Sequence, residues 1–388
     1  MTLPMIDVVV LNAAELVTAR TEPRGATGEA LQRLDVLRDG AVAIDKSRII
    51  DIGASRSLGR KYRARRTIDA RGKLVTPGLV DCHSHLVFSG SSTVAQTPGA
   101  STAALTAQAL RDLDLMLQHG TTTVEMKSGY GLDRDTELRM LRVIQGLRKH
   151  PVDVVPTHLA AHAVPAEYAG RRDEYVKLVI DTLPAARRWA EYCDVWCDTI
   201  AFTAAETEHI CAAARALGFR LRLHADQMGD AQGAALAARL GASSADHLDH
   251  VSVDGIRALA DSGTVGVLLP GVAGDGPERA RRMIDAGMRL ALAADYNPGT
   301  SPTPSMQTAM QRAARLYRLG SSEIWHMATI NAAHALDRGG DRGSLERGKR
   351  ADLVVWQVRE HGMVIDGSGV NLVDTVIKDG KVAWSARR

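Results

Sequence analysis

The chain has 388 residues, of which 45% are hydrophobic and 24% charged, with a net charge of +3; this is enough for one large domain and a smaller one. The charge is too small and too evenly spread to favour a nucleic-acid groove, and no uninterrupted apolar run is long enough to cross a bilayer. The chain starts without a signal-peptide pattern and has only four cysteines, so we expect a soluble cytoplasmic protein that binds neither nucleic acid nor membrane.

Both ends of the chain are predicted to be β-rich. Each end is too short to close a core alone, so we expect residues 1–75 and 343–388 to build one small β-sandwich together. Within the first part, residues 19–39 are polar with scattered glycine, which predicts a surface excursion. The strand candidates at the two ends are residues 6–11, 41–44, 48–53, 373–378 and 381–384, and residues 343–356 are predicted to be a turn that leads into a strand.

Residues 76–342 alternate apolar strand candidates with helical segments. Repeated β-then-α units predict parallel strands, and eight of them predict a closed (β/α)₈ barrel of the TIM type. An open doubly wound sheet is the alternative, disfavoured because no glycine-rich phosphate loop follows the first strand. The eight strand candidates are residues 74–80, 121–124, 152–157, 192–200, 220–224, 244–247, 264–269 and 289–294, and the glycines expected to end the preceding helices include Gly120, Gly218, Gly241, Gly263 and Gly287.

Polar residues follow several of these strands, at the end where a barrel places its chemistry. His83 and His85 stand two apart after the first apolar run, so on an extended chain both face one side and can bind one metal ion. His224 and Asp295 follow later strands. Three imidazoles and one carboxylate suit a divalent metal ion such as zinc or iron, although Asp295 before Asn-Pro is also a good capping or turn residue.

Other side chains at the same end suggest roles in catalysis or substrate binding. Asp295 can accept a proton from the attacking water and pass it to the leaving group, and His247 can hydrogen-bond the developing oxyanion or polarise a carbonyl. His162 is either a substrate-binding donor or a histidine that packs its loop. Tyr130 lies between two glycines, where a ring can be aimed inward. Lys127 is expected to have a structural or electrostatic role.

These motifs resemble the imidazolonepropionases of the amidohydrolase superfamily, which act in histidine breakdown. The most discriminating strings are Lys-Ser-Gly-Tyr-Gly at 127–131 and Asn-Pro-Gly at 297–299. The resemblance implies a barrel hydrolase with one metal ion, Zn²⁺ or iron, at His83, His85, His224 and Asp295, a small-molecule substrate and a homodimer. It also implies substrate contacts at Tyr130, His162, Asn297, Gly299 and Thr300.

Two positions depart from the family pattern. The family has an arginine after the His-x-His strand that grips the substrate carboxylate, whereas Ser92 stands there in this chain, followed by a loop that looks shorter. Gln227 is a catalytic candidate at a position where some relatives have a glutamate base. Because glutamine cannot carry a proton away, proton transfer is expected to fall mainly to Asp295, assisted by His247.

The resemblance implies hydrolysis of a ring C–N bond in imidazolone propionate, with N-formimino-glutamate as the product. Because the arginine is missing, an N-methylated, thio or hydantoin-like analogue is also an expected substrate. One alternative is a deaminase of a cyclic amidine such as a cytosine or guanine derivative, which Gln227 disfavours. An alternative of another class is a non-catalytic scaffold, which the complete ligand set disfavours.

Overall fold

The computed structural model describes residues 3–90, 96–272, 276–367 and 369–386. The strands are, in chain order, β1 Met5–Val17, β2 Val36–Asp45, β3 Arg48–Ala54, β4 Arg63–Asp69, β5 Leu74–Pro77, β6 Leu79–Asp81, β7 Thr121–Lys127, β8 Asp153–Ala161, β9 Tyr192–Cys197, β10 Arg220–Ala225, β11 Ser244–His247, β12 Val265–Leu268, β13 Leu290–Leu292, β14 Leu353–Trp356, β15 Val373–Lys378 and β16 Lys381–Ser385. The α-helices are α1 Ser55–Lys61, α2 Thr102–Gln118, α3 Arg134–Leu147, α4 Arg172–Ala186, α5 Ala204–Ala216, α6 Gly233–Leu240, α7 Val253–Ser262, α8 Pro277–Asp285, α9 Met306–Leu316, α10 Ser321–Ala328, α11 Ile330–Ala335 and α12 Gly362–Asp366. Among these helices, none is long and apolar enough to span a membrane.

The first sheet is built from both chain ends, in the order β16-β15-β14-β5-β1-β2-β3, with β4 paired to β1. Its pairs are antiparallel except for those of β1 with β4 and with β5. One hydrophobic cluster joins Val8 and Val42 from the N-terminal strands to Leu353 and Ile377 from the C-terminal strands. The prediction of a separate β-unit formed by the two termini is therefore confirmed.

The second sheet is the barrel, in which β6 to β13 are all parallel and follow one another in chain order. Backbone bonds beyond the strand ends bring its two edges together: Asp295 N donates to His83 O (3.1 Å) and His85 N donates to Tyr296 O (2.9 Å). The predicted (β/α)₈ architecture is confirmed. The glycines expected to end helices all have left-handed backbone angles, with φ between +62° and +92°. They are Gly120, Gly218, Gly241, Gly263 and Gly287.

The apolar run at residues 74–80 was predicted to be one strand, and this is wrong. Residues 75–77 pair with β14 in the terminal sheet, whereas the chain after Gly78 enters the barrel. A Cβ on Gly78 would lie 2.2 Å from Thr122 Oγ1, so only glycine fits where the chain changes sheets. Both halves are buried, so the hydropathy of the run does not show the break.

Residues 19–39 lie largely at the surface, as predicted, but the segment is anchored in the core at a few positions, and residues 36–39 belong to β2. Ala26 and Leu31 are fully buried. Ala26 N donates to Asn331 Oδ1 (3.0 Å), and Asn331 Nδ2 donates to Ala26 O (2.9 Å). The segment is polar overall, so its composition did not indicate that a few apolar side chains pack against α10 and α11.

Candidate active site

Histidines and one aspartate meet at the C-terminal ends of the barrel strands. His83 Nε2 and His85 Nε2 lie 3.5 and 3.4 Å from Asp295 Oδ1. The rings of His83 and His224 lie 4.5 Å apart, centroid to centroid. Three overlapping groups offer ligand atoms within 4.8 Å of one another: His83, His85 and Asp295; His83, His224 and His247; and His85, His162 and His224.

The donor set at this cluster fits a divalent metal ion. His83 Nε2 and His224 Nε2 are buried and have no hydrogen-bond partner among the described residues. Burial lowers the pKa values of His83 and His85 well below their ordinary range, so these imidazoles are neutral and have a lone pair to offer. A buried nitrogen without a partner costs about 1–3 kcal/mol, which a bound cation would offset. Neutral imidazoles with one carboxylate, Asp295, are a common zinc set.

The buried carboxylate of Asp246 contacts the Nδ1 side of the His83 ring. The Nδ1–H of His83 faces Asp246 Oδ2 at 2.6 Å, and Arg222 donates to the same oxygen at 2.9 Å. With its proton on Nδ1, His83 keeps Nε2 free for a metal ion. Arg222 also donates to the carbonyls of Cys82 and Ala335, both at 2.7 Å. Asp246 and Arg222 therefore fix the orientation of a predicted ligand, a role that we did not assign from the sequence.

The buried ion pair of Asp194 and Lys127 holds His224 in the same way. Asp194 Oδ2 lies 3.0 Å from His224 Nδ1 and accepts a hydrogen bond of 2.7 Å from Lys127, which also bonds Glu125 at 2.8 Å. Burial raises the pKa of Asp194, but His224 and Lys127 outweigh it and hold that pKa well below its ordinary value. The electrostatic role expected of Lys127 fits these contacts. Asp194 was missed, although a carboxylate within a buried strand requires a partner.

The backbone at two catalytic candidates is left-handed. Asp295 has φ +49° and His247 has φ +78°, which costs a non-glycine residue about 1–2 kcal/mol. Such strain is typical of functional sites whose surroundings fix the conformation. His247 Nδ1 is buried without a described partner, and its ring lies 5.1 Å from that of His224. The strained turns thus bring both side chains to the cluster.

The loop that contains Tyr130 is held by Glu137, the fourth residue of α3. Glu137 Oε1 accepts from Gly131 N (2.8 Å) and Leu132 N (3.2 Å), and Oε2 accepts from Gly129 N (3.0 Å). The Tyr130 ring lies 5.4 Å from the rings of both His85 and His162. We missed Glu137 because an acidic residue in the first turn of a helix is ordinarily a surface residue.

His162 lies beside the predicted ligands. Its Nδ1–H donates to Gly129 O (3.0 Å), and its ring stacks on His85 at 5.3 Å. Burial, followed by the nearby His224, lowers the pKa of His162 to about 4. The ring is therefore neutral and keeps Nε2 as an acceptor. The structure places His162 within the site as well as packing it against the loop.

The other predicted residues have varied surroundings. Asn297 Oδ1 accepts from Gly299 N (3.0 Å) and Thr300 N (2.8 Å), and its Nδ2 donates to Asp295 O (2.8 Å). Its amide thus builds the turn that follows Asp295, and the implied substrate contacts of Asn297, Gly299 and Thr300 remain predictions.

Gln227 N donates to Asp198 Oδ2 (2.8 Å). Ser92, where the arginine is missing, lies outside the described residues, as do residues 93–95 of the loop.

The family model described as "Amidohydrolase family" matches residues 74–383. The chain belongs to the amidohydrolase family. Its similar relatives include the imidazolonepropionase of Bacillus cytotoxicus, 40% identical over 413 residues and covering 98% of this chain and 97% of the relative. That of Bacillus cereus (strain B4264) is 39% identical with the same coverage. The prediction of an amidohydrolase enzyme is confirmed.

Solved structures with the same fold are more distant. A triazine hydrolase variant has a TM-score of 0.76 at 18% identity, covering 98% of this chain and 96% of its own. An adenosine deaminase from Xanthomonas campestris with bound zinc has a TM-score of 0.74 at 20% identity, covering 98% and 93%. At these identities the likeness shows the fold alone.

Proposed function

We propose that this amidohydrolase opens the ring of imidazolone propionate by hydrolysing a ring C–N bond, with N-formimino-glutamate as the product, in the breakdown of histidine. The cluster of His83, His85, His224 and Asp295 supports metal-dependent hydrolysis. The ring is inferred from the relatives named imidazolonepropionase, which match along nearly the whole chain at about 40% identity.

His83, His85, His224 and Asp295 are the residues that would hold the metal ion, which we propose to be Zn²⁺ or iron. When bound, such an ion supplies Lewis-acid activation of water and of the ring carbonyl. Asp246 contributes by holding His83 in the tautomer that leaves Nε2 available. The remaining steps belong to side chains of this chain.

Asp295 is the proposed proton carrier. Burial raises the pKa of its carboxyl well above the ordinary value, an effect that Lys127 reduces. Its Oδ1 lies 3.5 Å from His83 Nε2 and 3.4 Å from His85 Nε2, so this carboxylate lies beside the imidazoles that would hold the metal ion, where it can accept a proton. It accepts one proton of the attacking water, whose oxygen bonds to the ring carbonyl carbon. It returns that proton to the ring nitrogen as the C–N bond breaks, so water is added across the bond.

His247 is the proposed donor to the oxyanion that forms on the carbonyl oxygen. Burial lowers its pKa well below the ordinary value, so the ring is neutral and keeps one N–H to donate. A fixed donor in a water-excluded site typically contributes about 2.7–4 kcal/mol to the transition state. Gln227 is given no proton-transfer step.

The experiment is to assay imidazolone propionate with wild-type enzyme and with Asp295→Asn. Loss of the proton carrier should lower kcat by about 10²–10⁴-fold, with the circular dichroism spectrum unchanged. Asp261→Asn, an exposed aspartate at the end of α7, is the matched control and should keep full activity. Near-normal turnover by Asp295→Asn would contradict the proton-transfer role.

Substrate scope is tested with the same preparation. We propose that N-methyl, thio or hydantoin-like propionates are also substrates, because Ser92 stands where the family has an arginine. A kcat/KM far higher for the parent compound than for every analogue would contradict this shift and still support the ring-opening reaction. Release of ammonia from cytosine or guanine derivatives would favour the deaminase alternative, and a purified protein without bound metal would favour the scaffold.

Two further expectations belong to this proposal, namely a homodimer and a cytoplasmic location. Light scattering of the purified enzyme tests the first. One chain has a mass of 41.6 kDa, so a homodimer should give twice that mass, and a value near 41.6 kDa would contradict it. Cell fractionation tests the second.

A further inference from the structure

Trp196, in β9, faces the candidate active site. Asp194, two residues earlier on the same strand, contacts His224 and Lys127 inside the barrel, and alternate residues of a strand share a face. Trp196 is also the register partner of His224 on β10. Its ring lies 5.7 Å from the ring of His162. Trp196 therefore lies at the mouth, one layer above the buried charges.

The indole N–H of Trp196 is a buried donor without an acceptor among the residues the structure describes. Trp196 itself is partly buried, and two fully buried tryptophans behave differently: Trp325 donates to His361 O (3.1 Å) and Trp356 donates to Thr76 Oγ1 (2.9 Å). Buried indole N–H groups ordinarily find a partner, and an unmade bond costs free energy. A donor left open at an active-site mouth suggests that the acceptor arrives with the substrate.

The order of the strands indicates which part of the substrate meets this donor. Asp295 follows β13 and His247 ends β11, so the groups that would act on the carbonyl flank β12. Tyr130, His162 and Trp196 belong to β7, β8 and β9 and the turns that follow them. In a ring of eight strands, β8 lies opposite β12. A substrate whose carbonyl lies between Asp295 and His247 would extend its non-reacting part towards His162 and Trp196.

We infer that the indole N–H of Trp196 donates a hydrogen bond to the carboxylate on the substrate's side chain, and so determines specificity for a carboxylate-bearing ring. This inference rests on the proposed function, which supplies the propionate. A hydrogen bond to an ionised acceptor is stronger than one to a neutral acceptor. Because the contact exists equally in the ground and transition states, it acts on KM rather than on kcat.

Trp196→Phe tests the inference, because phenylalanine keeps an aromatic face against His162 and removes only the N–H and part of the ring. The two substrates are imidazolone propionate and the same imidazolone with an ethyl group in place of the propionate. For the propionate, KM should rise about 10–100-fold with kcat within about twofold. For the ethyl compound, KM should stay within about twofold of wild type.

An unchanged KM for the propionate, or an equal rise with both substrates, would overturn the role of the N–H. Trp189→Phe is the matched control, because Trp189 is a partly buried tryptophan that precedes β9 and packs against the main hydrophobic core. It should leave both KM values unchanged.

A second readout does not depend on turnover. The full chain has five tryptophans, so the indole signal of Trp196 in a ¹⁵N spectrum can be identified by elimination with Phe variants of the other four. Imidazole propionate, which lacks the ring carbonyl and is not hydrolysed, should shift this signal, and 4-ethylimidazole should not. An unmoved signal at saturating imidazole propionate would overturn the inference.

The two proposals fail in different ways. Turnover of imidazolone propionate with no effect of Trp196→Phe would remove only the role of Trp196. If wild-type enzyme does not hydrolyse imidazolone propionate, the proposed function fails, and the titration with imidazole propionate alone decides whether this indole binds a carboxylate.

Discussion

Replacing Glu137 by glutamine tests how the loop that contains Tyr130 is held in place. The carboxylate accepts backbone hydrogen bonds from Gly129, Gly131 and Leu132 at 2.8 to 3.2 Å and is almost fully buried. Glutamine has the same shape, but one of its two terminal atoms is an NH₂ donor. A backbone N–H would then face another donor.

The expected cost follows from these contacts. A hydrogen bond to a charged group contributes about 1.5–3 kcal/mol, and the unpaired N–H adds a desolvation cost. Burial raises the pKa of Glu137, which shows that ionising this carboxyl inside the protein is unfavourable, so neutral glutamine recovers part of the loss. We therefore expect Glu137→Gln to lower the free energy of unfolding by about 2 kcal/mol.

Urea unfolding measures this global effect, and hydrogen exchange of the peptide spanning residues 128–132 measures the local one. Protection of the Gly129, Gly131 and Leu132 amides should fall, and KM should rise because Tyr130 is less well positioned, with metal content unchanged. Glu174→Gln is the control, because Glu174 is 59% exposed and its ion pair with Arg171 is on the surface, which makes a change below about 1 kcal/mol the expectation. Unchanged exchange in the 128–132 peptide of Glu137→Gln would refute the reasoning.

Three further predictions concern the buried charges and the metal ion. Arg222→Met removes the buried guanidinium that bonds Asp246 and two backbone carbonyls, so the free energy of unfolding should fall by about 3–5 kcal/mol. The ion pair of Arg239 is exposed, so Arg239→Met is a control expected to lose less than about 1 kcal/mol in urea unfolding. The pKa of Asp194 is lower in the folded than in the unfolded chain. The contribution of Asp194 to the free energy of unfolding is therefore fully present above about pH 4 and is lost as the pH falls through the pKa of the folded state. Asp194→Asn should flatten the acid side of a stability–pH curve, and an unaltered curve would contradict this. Dialysis against a chelator should abolish hydrolysis and lower the melting temperature, with both restored by one equivalent of the metal ion; full activity of metal-free protein would contradict a metal role.

The repeating pattern of the chain was enough to predict the barrel. Strand and helix lengths, and glycines such as Gly218 and Gly263 at helix ends, reflect local rules that each segment obeys by itself. The spacing of His83 and His85 is likewise local, since a strand fixes the relative direction of side chains two apart. The position of His224 and Asp295 at strand ends then followed from the barrel geometry.

The tertiary structure alone determined which groups meet and how they are held. The residues on both sides of Gly78 are buried, so the apolar pattern of the run does not show that the chain changes sheets there. The contacts of Asp194 with Lys127 and of Arg222 with Asp246 join residues 67 and 24 positions apart. Burial and electrostatic interactions depend on distances in space, and sheet closure sets those distances. Local sequence patterns thus indicated where chemical groups lie along the chain, and the closed barrel determined which of them are close enough to act together.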